Sequence, residues 1–155
     1  MKKNEKGFVD TSEFHADGQL EVMQQIEKDG VCPFCRTNLA TYHREPVLWD
    51  NAGWLITEND YPYEGSRHHL LLICKRHLDN LLQLDSSDYL DLREAVNWVI
   101  RRWQIKGGTF LLRFGKMSYN GASVRHLHAH IIVGAKRSRR TESLKVKIGY
   151  RRQRG

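Results

Sequence analysis

Residues 126–132 read His-Leu-His-Ala-His-Ile-Ile, three histidines alternating with apolar side chains. Positions i, i+2 and i+4 of an extended strand share one face. The pattern therefore predicts a strand over residues 124–133, with His126, His128 and His130 on one side and Leu127, Ala129 and Ile131 in a core behind them. At a rise of about 3.3 Å per residue, adjacent imidazoles would stand roughly 7 Å apart. Rings that ordinarily titrate near pH 6.5 would then crowd one pocket. Such a row suits either a metal site using all three rings or nucleophilic and acid–base work at one centre.

A strand of this kind needs neighbours. Residues 47–49 and 54–56 are short apolar runs around Asp50-Asn51-Ala52-Gly53, which predicts a hairpin. Residues 70–74 read as a buried strand with Cys74 as an inward thiol, and residues 109–114 as a further strand. Tyr89, Leu92, Val96, Val99, Ile100 and Trp103 fall at helical spacing in residues 86–106, with Asp85, Ser86 and Asp88 at the start and Gly107-Gly108 at the end. A shorter helix, carrying Phe14, Leu20, Val22, Met23 and Ile26, is expected to begin between Ser12 and Gly18 and to stop at Asp29-Gly30. This order predicts an α+β fold, a mostly antiparallel sheet packed with helices.

The chain of 155 residues suits one domain, and 40% hydrophobic with 28% charged residues places it among ordinary globular sequences. The charged start Met1-Lys2-Lys3-Asn4-Glu5-Lys6 leads into no apolar run of signal or bilayer-spanning length, so a cytoplasmic protein without a membrane partner is expected. The net charge of +7 is concentrated at one end. Residues 136–155 hold nine Lys or Arg against Glu142 alone, which leaves the rest of the chain close to neutral. The expected organisation is an amino-terminal helical segment over 1–30, a domain over 31–135 and a basic tail over 136–155.

Cys32-Pro33-Phe34-Cys35 supplies half of a tetrahedral metal site and needs two more nitrogen or sulfur ligands. The competing chemistry is a thiol–disulfide motif. No apolar strand precedes the pair, and Pro46 and Pro62 lie in segments unlike the proline-bearing loop of redox folds, so metal is favoured.

Taken with His69-Leu70-Leu71-Leu72-Ile73-Cys74-Lys75-Arg76-His77 and the small-residue run Asn120-Gly121-Ala122-Ser123-Val124-Arg125, residues 126–132 resemble the histidine-triad family of nucleotide hydrolases and transferases. The resemblance runs from Cys32 to about Gly134 and leaves the tail outside. It implies a five-stranded sheet per subunit and a homodimer. It also implies that His128, as the middle histidine, attacks the α-phosphorus of a purine nucleotide substrate to form a nucleotidyl-histidine, with His126 and His130 completing the catalytic triad. Asn59, Asp60, His69, Asn120, Gly121 and Ser123 are the implied substrate contacts, Asn59 or Asp60 serving the ribose. Structural zinc is implied at Cys32, Cys35, His77 and His126. Asn59-Asp60-Tyr61-Pro62-Tyr63 and Gly121-Ala122-Ser123 are similar to the branch that cleaves diadenosine polyphosphates. Cys74 and Gly134 stand where the family commonly has proline. Ser66-Arg67-His68 departs from the glycine that normally precedes the pocket histidine, so either His68 or His69 could fill that place, the eight-residue spacing to His77 favouring His69.

On its own, His128 can be a nucleophile only if its second ring nitrogen is held as a donor, for instance to a backbone carbonyl. Charge developing on phosphoryl oxygens calls for aimed donors, which Ser123 and the amides of residues 121–124 could supply. The basic tail is open to three readings: a nucleic-acid contact, a solvated terminus, or a segment that folds back and offers cations to a polyphosphate, with Val146 and Ile148 allowing a short added strand. Removal of adenylate from nucleic-acid 5′ ends and nucleotide binding without turnover are the alternative functions.

Overall fold

Leu70-Leu71-Leu72-Ile73-Cys74 is apolar at every position, the pattern of a strand covered on both faces. In the computed structural model, which describes residues 7–153, this run lies in the central strand of a five-stranded antiparallel sheet. The charged amino-terminal run 1–6 and Arg154 of the tail lie outside the described residues. Strand β1 (Val47–Asp50) and β2 (Trp54–Glu58) form the expected hairpin; β3 (His68–Cys74) follows, then β4 (Thr109–Arg113) and β5 (His128–Val133). The order across the sheet is β1-β2-β3-β5-β4, so the α+β class read from the sequence is the one that forms. Asn51 closes the hairpin turn, its Oδ1 accepting the amides of Gly53 at 3.2 Å and Trp54 at 2.9 Å.

One face of the sheet packs on α3 (Ser86–Arg102), where Trp54, Ile56, Leu70, Leu72, Leu92, Ala95, Val99, Leu127, Ala129 and Ile131 make the main core. Each large apolar side chain fully removed from water there contributes roughly 2 kcal/mol. The helix opens on a capping box: Asp85 accepts the Asp88 amide at 3.0 Å, and Asp88 accepts the Asp85 amide at 2.8 Å. We expect Asp85→Ala to cost about 1 kcal/mol in denaturant unfolding without altering the site; an unchanged midpoint would show the cap to be idle. The helix ends before the Gly107-Gly108 stop expected from the sequence. Gln104 takes the left-handed φ of 49° and Ile105 donates its amide to Ile100 O at 3.0 Å, a Schellman closure without glycine.

The other face carries α1 (Gln19–Asp29) and α2 (Arg36–Tyr42). Leu39 packs with Leu55, Leu71 and Ile73, while Met23 and Ile26 pack on Val9. Helix α1 begins one residue past the expected window, because Gly18 sits at φ 78°, a conformation that cannot continue a right-handed helix. It stops at Gly30 as expected.

The strand expected over residues 124–133 begins only at His128. The preceding residues are held elsewhere: Val124 bridges Val9, the Arg125 amide donates to Phe8 O at 2.7 Å, and the Leu127 amide donates to Leu78 O at 2.6 Å. His126 is therefore not a strand residue. The short added strand allowed by Val146 and Ile148 does not form among the described residues of the tail. No helix is long and apolar enough to cross a membrane among those residues.

Candidate active site and metal centre

Register puts His128 opposite Ile73 and His130 opposite Leu71, on the sheet face away from α3. His128 is buried, and its Nδ1 stands 2.5 Å from the carbonyl oxygen of His126. A carbonyl only accepts, so Nδ1 carries the proton and Nε2 keeps the lone pair. Burial holds the ring's pKa down at about 4. The sequence asked for such a donor contact, and the residue two positions upstream supplies it. Phe34 closes on the ring edge-on at 4.9 Å.

A second set of contacts orders the neighbouring rings. The Tyr63 amide donates to His69 Nδ1 at 3.1 Å, and His69 Nε2 lies 2.9 Å from His130 Nδ1 and 3.1 Å from Asn59 Nδ2. His130 Nε2 in turn lies 3.2 Å from Arg113 Nη1. Arg113 also donates to Asn120 O and to the Tyr63 hydroxyl, each at 3.2 Å. His69 is thus the pocket-side histidine; His68, one residue earlier, faces the opposite side of the sheet and lies against Trp103.

Burial, with His15, Arg113 and His128 nearby, pushes His69 down to about 4. Its folded pKa lies below the ordinary 6.5, so the stability tied to the neutral ring is complete above about pH 6.5 and is lost as pH falls towards 4. Between about pH 7 and pH 5 this amounts to roughly 2 kcal/mol. Denaturant unfolding of a His69→Gln variant should show a correspondingly shallower loss over that range; an identical slope would contradict the linkage.

The His128 and His130 rings open on a cavity of about 270 Å³. Phe14, Val22, Met23, Ile26, Phe34 and Leu71 give it an apolar wall, and Asn59, Tyr61 and Tyr63 a polar one. Residues Gly121, Ala122, Ser123 and Val124 line it beside His128, and Lys145 and Lys147 of the tail reach it as well. Gly121 has φ 69° and caps the short helix α4 (Met117–Asn120), so the turn that aims this loop needs glycine.

Three of the expected substrate contacts are differently employed. His69 does not line the cavity, its ring nitrogens being turned to Tyr63, Asn59 and His130. Asn120 does not line the cavity: its amide nitrogen donates to Phe114 O and its oxygen accepts the Ala122 amide, each at 2.8 Å, so it shapes the loop. Asp60 lines the cavity, but its carboxylate accepts the amides of Arg44 at 2.9 Å and Glu45 at 3.1 Å and pairs with buried His43 at 3.4 Å. Asn59 accepts the Tyr61 amide at 2.9 Å and turns its Nδ2 towards His69 Nε2 at 3.1 Å.

His126 leaves the row of three and joins the cysteines. Cys32, Cys35, His77 and His126 offer donor atoms that all lie within 4.8 Å of one another. His126 Nδ1 stands 3.3 Å from Cys32 Sγ, 3.9 Å from Cys35 Sγ and 3.2 Å from His77 Nδ1, and Cys35 Sγ stands 3.4 Å from His77 Nδ1. Bonds of about 2.0 to 2.3 Å to a tetrahedral ion would set neighbouring donors about 3.3 to 3.8 Å apart, so the cluster fits one. The tautomer fits too: His126 Nε2 faces the Cys74 carbonyl oxygen at 2.6 Å, which leaves Nδ1 unprotonated towards the cluster. Burial pushes the Cys32 thiol up to about 12 when no cation is near, so thiolate there calls for a cation. The disposition matches a closed metal centre better than a thiol–disulfide pair, because two imidazoles converge on the sulfurs.

The family model described as scavenger mRNA decapping enzyme C-terminal binding matches residues 31–145. The chain belongs to this histidine-triad family. An uncharacterised histidine-triad-like protein of Chlamydia trachomatis is 27% identical over 90 residues, covering 56% of this chain and 78% of its own. Among solved structures, a histidine-triad family hydrolase from Clostridium thermocellum superposes with a TM-score of 0.54 at 22% identity, over 74% of this chain and 96% of its own. A zinc-bound histidine-triad protein from Mycobacterium smegmatis does so at 0.55 and 18% identity, over 76% and 81%. These two likenesses speak for the fold. As a histidine-triad protein the chain also presents three site residues that the motif did not announce: Arg113, Lys145 and Lys147. Arg113 lies in a plain strand pattern. The lysines alternate with Val146 and Ile148, and only the cationic bias of the tail pointed to them.

Proposed function

We propose that this protein is a nucleotidyl hydrolase or transferase acting at the α-phosphate of a dinucleoside polyphosphate or a related adenylate conjugate. The observation that carries the reading is the His128 ring, its Nδ1 committed to the His126 carbonyl and its Nε2 free as a nucleophile in a cavity with one apolar and one polar wall. The wall of Phe34, Met23 and Ile26 suits a purine, and Asn59 suits the ribose.

In this reading His128 Nε2 attacks the α-phosphorus. The new P–N bond forms as the P–O bond to the leaving group breaks, and that oxygen departs with the bonding pair. The Ser123 hydroxyl and the amides of Ser123 and Val124 receive the non-bridging oxygens, those of Gly121 and Ala122 being held by Met117 O and Asn120 Oδ1. Water then attacks the phosphorus, the P–N bond returns its pair to Nε2, and the proton lost by water goes to solvent; inorganic phosphate in place of water would yield a nucleoside diphosphate. His130, held between His69 and Arg113, stands beside the reacting group.

Zinc is the ion we propose for Cys32, Cys35, His77 and His126. Bound there, it supplies cross-linking alone, joining the segment before α2 to the turn after β3 and the approach to β5, with all four positions taken by protein. A homodimer belongs to the same reading.

The test is to incubate the full chain with diadenosine tetraphosphate and with adenosine phosphoramidate, with and without inorganic phosphate, resolving products by chromatography and seeking the nucleotidyl adduct by denaturing mass spectrometry. Mononucleotide release with a transient adduct is expected. Absence of turnover on both substrates, or turnover only with adenylated DNA, would replace this reading.

A further inference from the structure

Resting on the reading that His128 attacks an α-phosphate, we propose that Arg113, Lys145 and Lys147 form a second anion subsite beside His130, which holds the further phosphates of a polyphosphate leaving group. The tail is fastened where such a subsite is needed. Arg113 Nη2 donates to the Lys147 carbonyl oxygen at 2.5 Å, and Lys147 Nζ pairs with Glu13 at 2.5 Å. Glu13 also accepts from the Tyr150 hydroxyl. The Lys147 stem lies directly on Gly121, where a Cβ would stand 3.0 Å from its Cδ. These contacts put the Lys145 and Lys147 side chains in the wall of the cavity that holds His128 and His130.

Charge points the same way. The Arg113 guanidinium, held by Asn120 O, the Tyr63 hydroxyl and Lys147 O, sets a fixed cation 3.2 Å from His130 Nε2 at the cavity wall. Three cations line this corner and Glu13 is the carboxylate that faces them, so an oligophosphate brings the missing negative charge. A leaving group without phosphate, such as the amine of a phosphoramidate, would gain nothing here. The subsite thus selects leaving groups that are themselves polyphosphates.

The test is calorimetric titration of the full chain with inorganic tripolyphosphate and, separately, with AMP. The proteins compared are the wild type, a Lys145→Gln/Lys147→Gln variant, and an Arg151→Gln/Arg152→Gln variant that loses equal charge elsewhere in the tail. We expect tripolyphosphate affinity to fall about tenfold or more in the first variant and to hold in the second, with AMP affinity alike in all three. Lys147→Arg in the first variant should restore part of the loss. Tripolyphosphate that does not bind, or that weakens equally in both variants or in neither, overturns the subsite. If AMP itself fails to bind the wild type, the nucleotide reading fails and the subsite falls with it, a result distinct from the preceding ones.

Discussion

His128→Ala is expected to slow mononucleotide release from diadenosine tetraphosphate by on the order of 10⁴-fold to 10⁶-fold, the scale on which loss of a nucleophile or its base is felt. The expectation follows from the lone pair. Nε2 of this ring is the nitrogen left unprotonated by the His126 carbonyl, whereas His130 and His69 each have both ring nitrogens engaged. His15, which lines the same cavity with its Nε2 on the Tyr61 carbonyl oxygen, is the control, and His15→Ala should leave the rate within about tenfold. Because His128 leans on Phe34 and lies within a buried strand, His128→Asn should accompany His128→Ala as a better-filled substitution. Both should retain AMP binding within a few-fold by calorimetry and both should lack the covalent adduct. A variant that keeps more than about one hundredth of the wild-type rate would mean that the nucleophile is another group.

Removal of the metal is the second large effect. Structural zinc contributes on the order of 10 kcal/mol in small peptides, comparable with the whole stability of a domain. Here the main core against α3 lies on the other face of the sheet, so a share of roughly 5 kcal/mol is the reasonable expectation. At about 2 to 4 °C per kcal/mol for a chain of this size, chelation or Cys32→Ser should lower the thermal midpoint by roughly 10 to 20 °C. Metal analysis should find one zinc per chain before chelation and none in the variant. A midpoint that does not move while the metal leaves would show that the four side chains need no ion to hold their segments together.

Most of the sheet could be read from the sequence because its signals are local. The apolar run 70–74, the Asn-Ala-Gly turn before Trp54 and the capping residues around Ser86 each act within a few positions of themselves. The errors lie where a distant partner decides. Alternation alone extended the last strand back to residue 124, but the backbone there is taken by Phe8 and Val9, more than a hundred residues away in sequence, and His126 is released from the strand to face the cysteines. The helix stop was misplaced because Gln104 accepted a left-handed turn that glycine was expected to take. Asp60 and Asn120 also take hydrogen bonds from the backbone, accepting the amides of Arg44 and Ala122, a use that composition does not reveal. Arg113 and the tail lysines belong to the candidate site through one contact between β4 and residue 147, and no periodicity encodes it.

His126 serves two neighbours with different parts of itself: the ring goes to the cysteines, while the main-chain oxygen sets the proton on His128. Only the first of these depends on side-chain identity. A protein engineer could therefore exchange Cys32, Cys35, His77 and His126 together for a well-packed apolar set, and a lineage could drift the same way, provided the main chain before His128 keeps its path. The oxygen that orients the His128 ring would survive the change of residue, so in the proposed reading the metal centre and the nucleophile are separable.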